Sequence, residues 1–185
     1  MQVKEETLAA TLPSSISSDA KIARNNLASA EDIIDPELLV PSLRADTKIG
    51  AIKELVDRLH AKGVVEDSLC FLQSVLEREA ITSTLLHDVA LPHARSQTVS
   101  EMGMALGIAR QPIDFPSGDE RRPIQFLCLI AVPAHASDLY LSLLAGLAQS
   151  FSDAQFKNAL LHSTSPDELY HLLSSHSMPK LRKEG

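Results

Sequence analysis

The sequence predicts an α/β fold, a single domain with a small mixed β-sheet flanked by helices, its strands in the middle of the chain and helices at both ends. Apolar residues recur at helical spacing early in the chain, short apolar or alternating runs follow between Val89 and Val132, and helical spacing returns after Pro133. At 185 residues the chain suits one domain with an appendage. Its residues are 44% hydrophobic but 4% aromatic, so the core must be mainly aliphatic.

We predict three segments. Residues 1–35 are rich in Ser, Ala, Asn and acidic residues and show weak periodicity, which is typical of a poorly ordered extension. Residues 36–176 form the domain, and residues 177–185 form a solvated tail. An alternative is that the N-terminal extension is a docking or dimerisation arm with Ile33 and Ile34 as its anchors, which leaves a homo-oligomer open.

Charge and composition exclude several classes of protein. The net charge of −7 argues against nucleic acid or an anionic membrane surface as the main partner, since both need a basic face. No segment approaches the ~20 apolar residues of a membrane-spanning helix, and residues 1–6 lack the apolar core of a secretory signal. Cys70 and Cys128 each lie in an apolar run without CxxC spacing, so we interpret them as reduced core residues of a cytoplasmic protein.

Two helices are predicted before the strands. The first is capped by Asp46 or Thr47 and closed by Gly63, and its apolar residues recur at helical spacing: Ile49, Ile52, Leu55, Val56 and Leu59. The second begins near Asp67 or Ser68 and ends in the charged Glu77-Arg78-Glu79. Its apolar side is predicted to hold Leu69, Phe71, Leu72, Val75 and Leu76.

Three strands are predicted in the middle of the chain. One is Val89–Leu91, and a second over Met102–Ala109 alternates large apolar residues with Gly and Ala, which is typical of a strand with one closely packed face. Ile124–Val132 is nearly all apolar, as a central strand covered on both faces would be. Pro112–Asp119 contains two prolines and a Ser-Gly-Asp turn, which predict a loop or a short extended piece.

Three further helices are predicted after the last strand. Asp138 caps the first, whose apolar residues are Leu139, Leu143, Leu144, Leu147 and Phe151. The stretch Ser152-Asp-Ala-Gln155 has a capping-box pattern and begins the second. Ser165-Pro-Asp-Glu168 has the same pattern with proline at the first helical position, and it begins the third.

The stretch Val89–Arg95 is the centre of the predicted chemistry. Pro92 fixes its own φ and favours an extended conformation at Leu91, so we expect the strand to stop there with His93 at its exit. A histidine with one unprotonated ring nitrogen is nucleophilic near neutral pH. An apolar strand that ends in Pro-His carries little meaning by itself, so the flanking sequence decides the interpretation.

Several short motifs occur in a fixed order along the domain: Leu76–Glu79, Thr82–Thr84, Val89–Arg95, Leu141–Ala148, Ser152–Phe156 and Ser165–Leu169. Together they resemble the IIA component of the bacterial phosphoenolpyruvate-dependent phosphotransferase system, of the fructose, mannitol and nitrogen-regulatory type. The resemblance extends over residues 38–175, which is nearly all of the predicted domain.

The resemblance implies a phosphocarrier whose His93 accepts a phosphoryl group from a histidine phosphocarrier protein and passes it to a IIB partner. Arg78 matches the family's active-site arginine, whose guanidinium can neutralise phosphoryl oxygens; the alternative is a surface arginine at a helix end. Ser83 and Thr84 are predicted to add hydroxyl and backbone donors, although as a bare pair they also fit a turn. Arg95 is a weaker candidate because the family varies at this position.

The sequence departs from the family pattern in two places. Tyr140 occupies the position of a second histidine found in many relatives, and a phenol can donate a hydrogen bond but carries no positive charge at neutral pH. His135 is an alternative source of that charge, although a solvated loop histidine is the simpler interpretation. Leu85–Asp88 replaces a glycine-rich turn, which changes the backbone N–H groups available to a phosphate. Within that turn His87 is interpreted as a loop residue.

We therefore expect a cytoplasmic protein-histidine phosphotransferase of the sugar phosphotransferase system, in which Tyr140 is a reason to expect reduced efficiency. The alternative is a regulatory binding module of the same fold whose phosphorylation state modulates partner proteins, and the two departures favour it. The acceptor is accordingly a IIB domain or a regulatory target. The sequence has no GxGxxG, Walker, HExxH or GxSxG motif, so no metal or nucleotide cofactor is indicated.

Overall fold

A computed structural model of the chain describes residues 33–117, 119–136 and 139–181. Its strands are β1 (Ile34–Val40), β2 (Leu85–Leu86), β3 (Val89–Ala90), β4 (His93–Ser96), β5 (Gly103–Ser117) and β6 (Glu120–Pro133). Its helices are α1 (Lys48–Ala61), α2 (Ser68–Ile81), α3 (Leu139–Phe151), α4 (Ala154–His162) and α5 (Pro166–Leu181).

The predicted N-terminal extension lies outside the described residues up to residue 32, as does the predicted cap Asp138. Ile33 and Ile34, the anchors expected for a docking arm, are buried in this domain's own core. At the other end, α5 continues to Leu181, beyond the predicted domain boundary at residue 176.

The described strands form one mixed sheet in the order β1-β5-β6-β3-β2, with β4 also paired to β6. Strands β5 and β6 make a long antiparallel hairpin, in which Gly103 is opposite Ala131 and Ser117 is opposite Glu120. Strands β3 and β4 both run parallel to β6. The predicted fold class is confirmed, because a mixed sheet from the middle of the chain is flanked by helices on both faces.

The two faces of the sheet bury separate hydrophobic clusters, since successive side chains of a strand point to opposite faces. In β6, Leu127 and Leu129 pack in the cluster that contains α1 and α2, whereas Cys128 and Ile130 pack in the cluster that contains α3, α4 and α5. The prediction that Ile124–Val132 forms a central strand covered on both faces is therefore confirmed.

Predicted caps hold the ends of α1 and α2. The Thr47 hydroxyl accepts a hydrogen bond from the Gly50 N–H at 3.2 Å, and the Asp67 carboxylate accepts one from the Cys70 N–H at 2.9 Å. These bonds satisfy N–H groups that have no partner within the helix. Just after α1, Gly63 has a φ of 81°, which glycine adopts without steric cost. At α4 the cap is Asp153 and not Ser152, the first residue of the predicted capping box, because the Asp153 carboxylate accepts from the N–H groups of the first turn.

Strand β5 is longer than the sequence predicted. The stretch Pro112–Asp119 was expected to be a loop or a short extended piece, but β5 continues to Ser117 and pairs with β6 as far as Glu120. The pairing shifts register between Ile108 and Ile113, which accommodates Pro112 at an irregularity. Strand β1 pairs with β5 only near Met104–Gly107, so among the described strands none but β6 pairs with the far half of β5, where a missing N–H is tolerated.

The buried stripe of α2 differs from the predicted one. Phe71, Val75 and Glu79 are the buried residues of this helix, at a spacing of one turn. Leu69 is 71% exposed, and Cys70 is exposed as well, so the predictions that both lie in the core are wrong. The physical reason is that Phe71, Val75 and Glu79, spaced four residues apart, already fill the side of α2 that faces the sheet.

The two thiols should therefore differ in reactivity. Burial raises the pKa of the Cys128 thiol to about 12, so it stays protonated and unreactive at neutral pH, whereas Cys70 is exposed. With a disulfide-forming chromogenic reagent, we expect one fast thiol in the native protein and none in Cys70→Ser until denaturant is added. Fast labelling of native Cys70→Ser would contradict the burial of Cys128.

Candidate functional site

His93 is the first residue of β4 and is held by the sheet. The Ile130 N–H of β6 donates to the Pro92 carbonyl at 3.0 Å, and β4 then pairs with β6 from His93 to Ser96. Strand β3 does stop before Pro92, as expected, but His93 begins a new strand instead of standing at the exit of the old one, because the chain rejoins the ladder directly after the proline. Proline lacks only its own N–H, so its carbonyl still accepts a ladder bond.

A hydrogen bond within the segment sets the tautomer of His93. The Nδ1 atom lies 2.9 Å from the Leu91 carbonyl oxygen. A carbonyl can only accept, so Nδ1 must carry a proton and donate it. In the neutral ring the lone pair then belongs to Nε2, which makes Nε2 the nucleophilic nitrogen.

A cleft of about 310 Å³ lies at His93. Its lining residues come from α2, β4, β6 and α3: Ser74, Arg78, His93, Ala94, Arg95, Val132 and Tyr140. Among the described residues this lining contains two guanidinium groups and no carboxylate, in a chain whose net charge is −7. Such a local excess of positive charge favours an anion.

Arg78 reaches the cleft from the last turn of α2. Its Nη1 donates to the Thr82 carbonyl oxygen at 3.4 Å. This bond uses one of the five N–H donors of a guanidinium, and the planar fork suits two oxygens of one anion. The structure thus brings Arg78, His93 and Tyr140 together around one cleft.

Glu79 is a functional residue that the sequence did not predict, because it stands in the charged helix end Glu77-Arg78-Glu79. Glu79 is 2% exposed, and its carboxylate accepts hydrogen bonds from the Thr84 and Ser117 hydroxyls, each at 2.6 Å. The Lys48 ammonium lies 3.6 Å from the same carboxylate. Glu79 lies four residues after Val75, on the buried stripe of α2, and this spacing is the sequence signal that could have identified it.

A chain of hydrogen bonds links Glu79 to the histidine. Thr84 donates its hydroxyl proton to Glu79, and the Thr84 carbonyl accepts from the Leu91 N–H at 3.0 Å. The Leu91 carbonyl in turn accepts from Nδ1 of His93. The buried carboxylate therefore anchors the loop after α2 and, through it, the segment that orients the imidazole.

The hydroxyl oxygens of Ser83 and Thr84 are both engaged within the protein. Ser83 Oγ accepts from the Leu85 N–H at 3.2 Å in a side-chain turn, a bond that leaves its hydroxyl proton for another partner. Neither residue belongs to the lining of the cleft. Their contact with a phosphoryl group stays a prediction.

Tyr140 lies beside His93 at the start of α3. The two ring centroids are 6.1 Å apart, with the ring planes tilted by 43°. The guanidinium carbon of Arg95 lies 4.9 Å from the centroid of the same phenol ring, within the range of a cation–π contact. Tyr140 therefore contacts the side chain of Arg95 and neighbours that of His93.

The turn that replaces the expected glycines is held by other means. His87 has a φ of 56°, a conformation that glycine adopts more readily. The Asp88 carboxylate lies 2.6 Å from the Lys157 ammonium, and the Asp88 carbonyl accepts from the Gln125 N–H at 2.9 Å. Both His87 and His135 are exposed, and neither lines the cleft.

Comparison with known proteins decides the family. The family described as "Phosphoenolpyruvate-dependent sugar phosphotransferase system, EIIA 2" matches residues 32–176. The chain belongs to this family.

Within the described residues of this IIA domain, no helix is long and apolar enough to cross a membrane. The same residues contain no group of three or more His, Cys, Asp or Glu placed to hold a metal ion.

Relatives of the IIA domain include both sugar-specific and regulatory proteins. It is 31% identical over 129 residues to the fructose-specific EIIA component of Haloferax volcanii, covering 69% of this chain and 83% of that protein. It is 26% identical over 144 residues to a nitrogen regulatory protein of Bradyrhizobium diazoefficiens, covering 77% and 93%. Against the 2-O-alpha-mannosyl-D-glycerate-specific EIIABC component of Escherichia coli the identity is 27% over 139 residues, 74% of this chain but only 21% of that longer protein.

Solved structures share the fold. The nitrogen regulatory protein IIA-Ntr from Neisseria meningitidis matches with a TM-score of 0.70 at 24% identity, covering 79% of this chain and 99% of that one. Enzyme IIAMTL of Escherichia coli, in its complex with phosphorylated enzyme IIBMTL, matches with a TM-score of 0.64 at 24% identity, covering 75% and 95%. At these identities the likeness concerns the fold.

Removing the Glu79 carboxylate should destabilise the domain. In Glu79→Ala the Lys48 ammonium and two hydroxyls lose their shared acceptor, which we expect to lower the free energy of unfolding by about 3 kcal/mol. Urea unfolding followed by circular dichroism measures this change. Glu77→Ala, an exposed glutamate on the same helix, is the matched control and should change it by less than about 0.5 kcal/mol. Equal effects of the two variants would rule out the anchoring role.

Proposed function

We propose that this IIA domain is a protein-histidine phosphotransferase of the sugar phosphotransferase system. His93 accepts a phosphoryl group from a histidine phosphocarrier protein and passes it to a IIB partner. The observation that carries the proposal is an imidazole of set tautomer in a cleft whose described lining residues include two arginines and no carboxylate. The family match over residues 32–176 supports the predicted domain of residues 36–176 as the unit that acts.

The hydrogen bond from Nδ1 of His93 supports Nε2 as the nucleophile. The Nε2 lone pair forms the new bond to phosphorus while the N–P bond of the donor phosphohistidine breaks, and that electron pair returns to the donor imidazole. Because Nδ1 keeps its proton, the phosphorylated ring carries positive charge. The Leu91 carbonyl dipole stabilises that charge and orients the ring for the second transfer.

Arg78 supports the handling of the phosphoryl group itself. Phosphoryl transfer spreads negative charge over three equatorial oxygens, and catalysis is mostly positioning and neutralisation of that charge. In this proposal the Arg78 guanidinium binds two of these oxygens, and Ser83 supplies its hydroxyl proton from the loop that Thr84 anchors on Glu79. Tyr140 lines the cleft beside His93 and carries no positive charge at neutral pH. If no other group supplied the charge of the second histidine, transfer would be slower than in relatives that have it.

The partners are proposed from the relatives. Enzyme IIAMTL of Escherichia coli forms a complex with phosphorylated enzyme IIBMTL, and multiphosphoryl transfer protein 2 of Escherichia coli is 29% identical over 98 residues. Donor and acceptor must present their reacting groups to the same His93, so both dock in turn over its cleft.

The two cysteines are free thiols, as in a reducing compartment, and we propose the cytoplasm as the location.

A second candidate function is a regulatory binding module whose phosphorylation state modulates partner proteins. Two observations favour it: the similarity to nitrogen regulatory proteins, and Tyr140 beside His93 in place of a second histidine. In this case His93 is still phosphorylated, but the phosphorylated form persists long enough to act as a signal.

Phosphorylation by purified components tests the proposal. The chain is incubated with phosphoenolpyruvate, enzyme I and the histidine phosphocarrier, and its intact mass is measured. We expect one added phosphoryl group that is labile in acid and absent in His93→Ala.

In the same assay, Arg78→Ala should gain the phosphoryl group about 100-fold more slowly than wild type, because one group that stabilises the transition state is lost. Arg121→Ala, an exposed arginine of the β5–β6 hairpin, is the control and should leave the rate unchanged.

Two results would overturn the proposal: a wild-type chain that stays unmodified beside an active donor, or modification that persists in His93→Ala. Addition of a IIB domain then separates the two candidate functions. Loss of the phosphoryl group from His93 within seconds supports the carrier, whereas a phosphorylated chain that keeps it for many minutes supports the regulatory module.

A further inference from the structure

Arg95 shares a face of β4 with His93. Residues two apart in a strand point to the same side, and the burial pattern of β4 agrees, since Ala94 and Ser96 are buried while Arg95 is exposed. Both His93 and Arg95 line the same cleft. The strand pairing with β6 that fixes the backbone of His93 extends through Arg95, which lies opposite Val132.

Tyr140 gives the long Arg95 side chain a fixed surface on which to lie. The guanidinium carbon is 4.9 Å from the phenol centroid, and the same ring is 6.1 Å from the imidazole of His93. An arginine has many rotamers, and contact with an aromatic face both attracts the cation and limits its positions. One tyrosine ring thus lies beside the nucleophile and holds a cation.

We propose that Arg95 is a catalytic residue of the phosphoryl transfer and that Tyr140 is a positioning residue whose ring holds the Arg95 guanidinium at the cleft. The inference deepens the proposed function and rests on it. Arg78 enters from the helix layer on one face of the sheet, and Tyr140 comes from the layer on the other. Arg95 supplies the positive charge that Tyr140 itself lacks.

The inference assigns the contribution of Tyr140 to its ring and not to its hydroxyl. A phenol hydroxyl offers one neutral hydrogen bond, whereas a guanidinium offers charge and paired donors to phosphoryl oxygens. Tyr140→Phe keeps the ring and removes the hydroxyl. Tyr140→Leu removes the ring and remains apolar, so the two variants separate the two roles.

The test is single-turnover transfer from the phosphorylated histidine phosphocarrier, measured by rapid quench at increasing donor concentration. At saturating donor we expect Arg95→Gln to be slower by about 100-fold and Tyr140→Leu by about 10-fold. Tyr140→Phe should stay within about 3-fold of wild type, because a phenyl ring also attracts a cation. The double variant should transfer less than about 3-fold more slowly than Arg95→Gln alone, since the ring acts through the arginine.

Several outcomes would overturn the inference. If Tyr140→Phe is as slow as Tyr140→Leu, the hydroxyl carries the effect. If Arg95→Gln changes only the donor concentration for half-maximal rate, Arg95 is a docking residue. If Tyr140→Leu slows transfer by the same factor in the wild-type chain and in Arg95→Gln, the ring does not act through Arg95. Arg95 is exposed, so Arg95→Gln should fold normally. Its transfer rate therefore still tests the catalytic role of Arg95 if Tyr140→Leu unfolds.

These failures differ from failure of the proposed function. In each of them the wild-type chain still gains its acid-labile phosphoryl group on His93. A wild-type chain that gains none overturns both the function and this inference.

Discussion

The carboxylate of Glu79 is buried among two hydroxyls and the Lys48 ammonium, where it joins α1, α2 and the far end of the β5–β6 hairpin. A buried charge of this kind is tolerated only when its partners are held in place, so the surrounding elements are constrained together. From this anchor a series of hydrogen bonds passes through Thr84 and Leu91 to the His93 imidazole. The orientation of the nucleophile therefore depends on a residue that never enters the cleft.

Strand β6 provides the second constraint. It is buried on both faces and pairs with β5 along one edge and with β3 and β4 along the other. The cleft lies where β4 and β6 meet the ends of α2 and α3, which pack on opposite faces of the sheet. Arg78 and Tyr140 can reach the same histidine only because the sheet carries His93 to an edge that both helix layers border.

Charge distinguishes this cleft from a second groove, of about 480 Å³, beside α1. That groove is lined by acidic and basic side chains together. There the Lys53 ammonium lies 2.6 Å from the Asp57 carboxylate, and Glu54 accepts from two backbone N–H groups. The cleft at His93 instead brings two guanidinium groups together with no carboxylate among its described lining residues, an arrangement that favours an anion.

Local sequence determined the helices, the caps Thr47 and Asp67, and the apolar central strand, because each depends on residues within a few positions of one another. The order of short motifs along the whole domain indicated the candidates His93 and Arg78. Tertiary structure alone decided that the chain rejoins the sheet after Pro92, that Lys48 and Ser117 surround the Glu79 carboxylate, and that Arg95 lies on Tyr140. Each of those three depends on contacts between residues far apart in the chain, and such contacts leave no periodic signal in the sequence.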